Sequence, residues 1–312
     1  MNDPKQTQTI RVAVWNLRGP SYLKKSSEKT AAKIDYFAQA AQPDLAFYLE
    51  APVGKVEPLP RIIGSRYCWV GPDPEHGNLQ GSLIGHAKEQ PDALAMEYSG
   101  NPKGILAVRH TNSPEVSVED VQYTDPRGAG KTAMKVDLLL GGRPLRIIAV
   151  WMTPANTSQQ KDFIDCLKEA LAKFMKPEEN VPCIIAGDTN VNLDSKNAAP
   201  NGENSPEDCL TRREQFVLGP LSQYGLTLLN PPGVFTHRKY EQEKKTGKII
   251  HQSFFQCDLL MASHELVNAS GAEAITLRVL SMGGRPEGLG EEFERWGSDH
   301  LPLIFEISVP YG

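Results

Sequence analysis

The run Ile184-Ile185-Ala186-Gly187-Asp188-Thr189-Asn190 decides how this chain is read. Its apolar half is a buried strand, which breaks at a glycine and delivers a carboxylate and a carboxamide two residues apart. Side chains two apart on an extended backbone point the same way, so Asp188 and Asn190 are expected to face one spot at a strand end. Polar groups at strand ends are where mixed α/β proteins place their chemistry. Ser298-Asp299-His300, far along the chain, is a second acid-and-imidazole cluster that also feeds a strand. Two such clusters predict one site assembled from distant segments.

Further short β-type runs surround these two. They cover residues 10–15, 45–49, 104–108, 116–123, 133–140, 145–151, 181–186, 226–229, 254–261, 274–279 and 301–309. The last alternates cleanly, with Leu301, Leu303, Phe305, Ile307 and Val309 on one face. Helices are expected over 28–41, with Ala31, Ile34, Ala38 and Ala41 in a stripe, and over 158–175, with Phe163, Leu167, Leu171 and Phe174 in another. Strands outnumber helices, and runs such as 116–123 and 133–140 look like antiparallel neighbours. The expected fold class is therefore α/β, a four-layer sandwich of two mixed, mostly antiparallel sheets packed face to face with helices outside. Residues 1–9 are expected to be disordered or extended, and 10–312 to form a single catalytic domain. Segments near 71–103, 192–212 and 282–297 read as loop insertions because Gly, Pro, Asn and Glu dominate them.

Composition narrows the function classes. Apolar residues make up 40% of the 312, enough for a full core, and the net charge of −5 argues mildly against tight non-specific binding to nucleic acid. The five cysteines, Cys68, Cys166, Cys183, Cys209 and Cys257, are scattered and in no C-x-x-C spacing, which disfavours a zinc or disulfide framework. The first residues carry no apolar signal core and no run reaches membrane-spanning length, so a cytoplasmic location without a membrane span is expected. No protein partner is evident. Residues 126–132 contain Gly128, Gly130 and Lys131-Thr132, but they join two antiparallel-type strands and open no helix, so they read as a hairpin loop instead of a phosphate cradle.

Several strand ends share one pattern, apolar residues followed by a polar or acidic side chain and then Gly or Pro. Asn16, Glu50, the Asp188/Asn190 pair, Asp258 and Asp299-His300 all follow it, with Asp258 read as lying inside an apolar strand. The donors are mainly oxygens, with one clear imidazole and no thiolate, a set that suits Mg²⁺ or Mn²⁺ better than zinc. A hard ion ringed by carboxylates, beside a carboxylate–imidazole pair, fits hydrolysis of a phosphate ester. Each residue alone also has a plainer reading. Asp188-x-Asn190 can be a turn, Glu50 a solvated strand end, Asn16 a cap into the turn at Gly19, Asp299 a helix cap and His300 a satisfied core histidine.

In order and spacing, Trp15-Asn16-x-x-Gly19, Glu50, Gly187-Asp188-x-Asn190, Asp258 and Ser298-Asp299-His300-x-Pro302 resemble the endonuclease/exonuclease/phosphatase superfamily, over nearly the whole chain. The resemblance implies a metal held by Glu50 with Asn16 and Asp299 close by, water oriented by Asp188 and Asn190, and a phosphate contacted by His300 with Asp258 fixing its tautomer. It departs at Trp151, where that superfamily normally has His or Tyr. An indole donates a hydrogen bond but does not deliver a proton, and an aromatic cleft wall is an equal reading of it. Arg18, Arg109 and His237, near strand ends, are candidate phosphate-backbone contacts. The segment 225–236 is similar to abasic-site and retrotransposon endonuclease domains, which makes a DNA nuclease the expectation. A phosphatase or small-molecule phosphodiesterase is the alternative, and a binding protein weakened in catalysis by Trp151 is a third.

Overall fold

The computed structural model describes residues 7–17, 25–52, 67–72, 80–84, 103–110, 117–123, 131–152, 171–175, 179–190, 192–194, 214, 217–242, 249–268, 274–285, 289–296 and 298–310. Its strands are β1 (Thr7–Asn16), β2 (Leu45–Pro52), β3 (Tyr67–Pro72), β4 (Gln80–Ile84), β5 (Lys103–His110), β6 (Ser117–Tyr123), β7 (Lys131–Leu140) and β8 (Arg143–Met152). They continue with β9 (Cys183–Asp188), β10 (Leu226–Leu228), β11 (His237–Gln242), β12 (Ile249–Phe255), β13 (Asp258–Ser263), β14 (Thr276–Met282) and β15 (Leu303–Pro310).

The α/β class with mixed strands and few helices is as expected, and the antiparallel pairing of β6 with β7 is present. The expected two sheets are hydrogen-bonded into one array of 13 strands, ordered β10-β13-β9-β8-β7-β6-β4-β3-β5-β2-β1-β15-β14. Its two halves repeat one pattern: a parallel pair, β1/β2 or β8/β9, with an antiparallel neighbour on each side. The halves then pack face to face, because alternation gives each strand two apolar faces. In β8 and β9, Ile147, Ala149, Trp151, Ile184 and Ala186 join Ile10, Val12, Phe47 and Phe305 in the inner core. Ile148, Val150, Cys183 and Ile185 form an outer core with Leu171 and Phe174 of the helical turn at 171–174. On the opposite outer face Trp15 packs on Phe37 of the helix Lys25–Ala41, ring centroids 4.9 Å apart, and on Trp296 at 6.2 Å.

Thr7, Gln8 and Thr9 are extended, paired with Pro310, Val309 and Ser308, and belong to β1. Three expectations need correction. The segment 282–297 contains the helix Leu289–Trp296, whose Leu289, Phe293 and Trp296 recur at helical spacing and are buried; its Gly and Glu content hid that stripe. Residues 80–84, inside the 71–103 insertion, form β4. The single strand expected over 254–261 is two strands in different sheets, β12 pairing with β11 alone among the described residues. Between them Gln256 is buried and donates to the carbonyls of Pro231 and Val234, while the amides of Cys257 and Asp258 donate to Thr236 Oγ1 at 3.1 and 2.9 Å. Side chains replace the ladder partners there, and the chain changes sheet. Among the described residues no helix is long and apolar enough to cross a membrane. Most of 158–175 and of 192–212, and the loop at 124–130, lie outside the described residues.

Candidate active site

The four parallel strands end at one seam between the two halves. Asn16 ends β1 and is in register with Leu49 of β2, next to Glu50; Trp151 near the end of β8 is in register with Asp188 at the end of β9. Asp258, the first residue of β13, faces Asp188 across the antiparallel ladder. It therefore heads a strand, where the sequence reading had it in a strand interior. The seam is closed by an amide hydrogen bond: Asn16 Nδ2 donates to Asp188 Oδ2 at 2.8 Å and reaches Glu50 Oε1 at 3.3 Å.

Backbone geometry explains why these residue types stand here. Gly187 has φ of 140°, and a Cβ at that position would collide with the carbonyl oxygen of Val150 in β8. Only glycine lets β9 approach so closely. Asn190 lies in the left-handed region, φ 53°, which asparagine tolerates. Asp188 Oδ1 accepts the Asn190 amide at 2.7 Å, and Asn190 Nδ2 returns to Asp188 Oδ2 at 2.9 Å. The two side chains do meet at one spot, but through a turn and not an extended backbone. Glu50 also has positive φ, 54°, beside a register shift between Tyr48 and Ala51 of β2. Left-handed backbone at a non-glycine residue costs on the order of 1–3 kcal/mol and concentrates at functional sites; here the bulge re-aims one carboxylate.

His300 is held on three sides. Its Nδ1 lies 2.9 Å from Asp258 Oδ2, its carbonyl accepts the Trp15 indole N–H at 3.0 Å, and its amide donates to Ser298 Oγ at 3.2 Å. The Ser298 hydroxyl in turn donates to the Asn16 carbonyl at 2.9 Å. His300 Nε2 is then 3.8 Å from Asp188 Oδ2, too far for a direct hydrogen bond. Burial is the largest influence on Asp188 and, reinforced by Asp258, pushes its carboxyl up to about 7 against the pull of His300, Asn190 and Asn16. For His300 burial acts downward, but Asp258, Asp188 and Asp299 outweigh it and raise the imidazole to about 10. The carboxylates around His300 thus favour its protonated form.

Of the sequence candidates, Asn16, Glu50, Asp188, Asn190, Asp258 and His300 are joined by the contacts above, and Asp299 by its neighbour and its field on His300. His237 is also present: its ring lies over that of His300, centroids 4.4 Å apart. Trp151 is on the inner face, 3% exposed, and its indole N–H makes no hydrogen bond among the described residues. Arg109 is not part of the cluster. It pairs with Leu45 at the start of β2, five residues before Glu50, or about 17 Å along a strand; counting basic residues near strand ends does not tell one end from the other. Arg18 lies outside the described residues. Sequence reasoning missed Trp15 and Thr236 as supports of His300 and Asp258, since hydrogen bonds between distant segments leave no local signal.

No model of a known protein family matches the sequence, and neither does the sequence of any curated protein. Solved structures do match in fold. The human nocturnin catalytic domain with bound sulfate superposes with a TM-score of 0.52 at 16% identity, covering 99% of this chain and all of that one. D. rerio TDP2 complexed with a single-strand DNA product gives 0.53 at 13%, covering 96% and 98%. An endonuclease/exonuclease/phosphatase family protein from Bacteroides thetaiotaomicron gives 0.52 at 14%, covering 98% and 100%. The fold is that of the endonuclease/exonuclease/phosphatase superfamily. A mannosyl-6-phosphatase of B. thetaiotaomicron shares it at 0.50 and 13%, covering 96% and 99%. One superfamily fold thus carries proteins with nuclease-type and phosphatase-type names, and at these identities the likeness extends to the fold alone.

Proposed function

We propose that the chain hydrolyses phosphoester bonds with the help of Mg²⁺ or Mn²⁺, acting by preference on the phosphodiesters of DNA. The observation that carries this reading is the 3.8 Å gap between His300 Nε2 and Asp188 Oδ2, flanked by Asp258 on one side and Asn16 and Asn190 on the other. That gap sets a proton acceptor opposite a cationic donor, the pair an in-line attack on phosphorus needs.

The donor set fits a hard cation. Asp188, Asp258 and Asp299 surround one imidazole, and Glu50 joins them through Asn16, an oxygen-rich group that suits a hard cation. Glu50, Asn16 and Asp299 would hold the ion. It would supply charge stabilisation to phosphoryl oxygens. The chain's own residues do the rest. Asp188, fixed by Asn16 and Asn190, orients the attacking water and accepts its proton; its raised pKa makes it a better base than an ordinary aspartate. Asn190 holds that water or a phosphate oxygen. His300, kept in one tautomer by Asp258, donates Nε2–H to a non-bridging oxygen as negative charge builds there. Trp151, a buried donor beside Asp188, adds a second hydrogen bond to the phosphate without proton transfer.

A DNA substrate is supported by the TDP2 structure with its DNA product. A phosphomonoester or small phosphodiester is the second reading, favoured by the net charge of −5 and by the phosphatase of the same fold. The deciding experiment incubates the chain with Mg²⁺ or Mn²⁺ and plasmid DNA, single-stranded DNA or phosphorylated small molecules, beside Asp188→Asn and His300→Ala. Metal-dependent DNA cleavage lost in both variants is expected. Turnover of small phosphoesters without DNA cleavage moves the assignment to the second reading, and no turnover of either class overturns the hydrolase.

A further inference from the structure

We propose that His237, Asp299 and His300 form a second, softer metal site that takes Zn²⁺ and switches the phosphoester chemistry off. The existence of the site stands on the geometry alone; its effect on turnover rests on the hydrolase reading above. One ligand atom from each of the three residues lies within 4.8 Å of the others. Two imidazole nitrogens and one carboxylate oxygen form a zinc-type set with a fourth position left for water, unlike the all-oxygen set of Glu50, Asn16 and Asp299, with which it shares Asp299.

The scaffold already holds these side chains together. The backbones of His237 and His300 form an isolated antiparallel bridge, and the Arg238 amide donates to the Asp299 carbonyl at 2.8 Å. The ring centroids are 4.4 Å apart with planes tilted by 35°, and His237 Nε2 is 3.7 Å from Asp299 Oδ2. A tetrahedral ion with Zn–N bonds of 2.0–2.1 Å sets its ligands about 3.3 Å apart, so from a spread of at most 4.8 Å the three atoms would close by up to about 1.5 Å as the side chains rotate. The remaining nitrogens are engaged in a way that leaves the ligating ones available. His300 Nδ1 is on Asp258 at 2.9 Å, the carboxylate–histidine arrangement that orients metal-bound imidazoles, and His237 Nδ1 faces Cys257 Sγ at 3.9 Å. The His237 side chain, 21% exposed, is the solvent-facing member of the three.

Zinc on His300 Nε2 displaces the proton that nitrogen carries, which leaves to solvent. A ring so occupied has no N–H to offer a phosphate. Occupancy of the soft site and hydrogen bonding by His300 are therefore mutually exclusive, and zinc becomes a regulator of the same centre that uses the hard cation.

Binding is tested first, without substrate. Calorimetry with ZnCl₂, and visible absorption with CoCl₂ as a spectroscopic stand-in, are run on the intact chain and on His237→Gln, Cys257→Ser and His251→Gln, with thermal melts to confirm folding. One zinc per chain, four-coordinate cobalt bands, and a loss of affinity of about tenfold or more in His237→Gln alone are expected. Equal affinity in His237→Gln, or a loss that follows Cys257→Ser or His251→Gln, overturns the site. If His237→Gln does not fold, His237→Asn takes its place in the same assay. The second arm titrates ZnCl₂ into Mg²⁺-supported turnover, where His237→Gln should need about tenfold more zinc for half-inhibition than wild type. Equal inhibition of both overturns the regulatory role. A chain that binds zinc but turns nothing over defeats the hydrolase reading and leaves the site standing.

Discussion

The strand pair β8–β9 carries buried charge at both of its ends, and the two ends are built to opposite specifications. Near the starts of the strands Arg146 is paired with Asp137 at 2.7 Å and with Glu179 at 2.7 Å, and Lys135 adds a contact to Asp137 at 2.9 Å. Arg146 Nη1 also donates to the Phe174 carbonyl. Two cations meet two anions there. Burial works against Asp137, but the bonds from Arg146 and Lys135 outweigh it and hold its carboxyl below the usual range; Asp137 and Glu179 likewise outweigh burial and hold Arg146 above its own. At the far end Asp188, Asp258 and Asp299 outnumber His300, and Asp188 is pushed up to about 7, burial leading. Buried charge that is neutralised in place is structural; negative charge left in surplus is poised to take up a cation or a proton.

The sharpest way to break that contrast is to alter the poised end alone. Asp188→Asn keeps the shape and the Asn16 contact but removes the base, so turnover should fall by about 10²–10⁴-fold while the melting curve is retained; steady-state rates with Mg²⁺ beside thermal melts decide it. Breaking the balanced end should do the reverse. Asp137→Ala leaves Arg146 only Glu179 as its anion among the described residues and takes the 2.9 Å carboxylate contact from Lys135, and urea unfolding should show a loss of about 3 kcal/mol with an unchanged metal requirement in any protein that remains folded. Gly187→Ala tests the seam between the ends: a Cβ against the Val150 carbonyl should cost about 2–4 kcal/mol in the same unfolding assay.

Titration separates the ends more finely. Asp188 has a folded pKa above its unfolded value, so its contribution to stability is present below about 3.8 and lost as pH rises through about 7. His300, also raised, contributes below about 6.5 and loses that contribution as pH rises through about 10. Urea midpoints measured with chelator should therefore decline across both windows. Asp188→Asn should remove the lower decline, and saturating Mg²⁺ should flatten it by favouring the carboxylate. The smallest effect is expected at Trp151. Its indole N–H has no partner to lose among the described residues, so Trp151→Phe should shift stability by less than about 1 kcal/mol and lower turnover by about tenfold. An unchanged rate would leave Trp151 as the wall of the cleft.

How far the site was legible in advance depended on the kind of signal each residue leaves. Asp188 and Asn190 stood out because an apolar run cannot end in a carboxylate and a carboxamide without placing them somewhere particular, and Gly187 marked the close approach to β8. Asp258 and His300 were visible as ionisable groups embedded in apolar surroundings. Arg109 was misplaced because position near a strand end does not say which end of the sheet it occupies. The helix Leu289–Trp296 was hidden by composition although its Leu289, Phe293 and Trp296 spacing was present. The division between β12 and β13 rests on Thr236 and on Asn192, whose Oδ1 accepts the Gln256 amide at 3.2 Å, reaching the backbone from other segments, and no local pattern announces that.

The order of residues by itself determined the strand faces, the alternation that supplies two cores, and the polar groups that close each strand, because these follow from backbone periodicity and the cost of burying charge. Only the tertiary structure decided that the two half-sheets meet at the ends of four parallel strands, that Asn16 bridges Glu50 and Asp188, and that His237 lies against His300. Those relations join residues far apart in the chain. Their energies come from contacts that exist only after the halves have packed, so they cannot be read from neighbours in sequence.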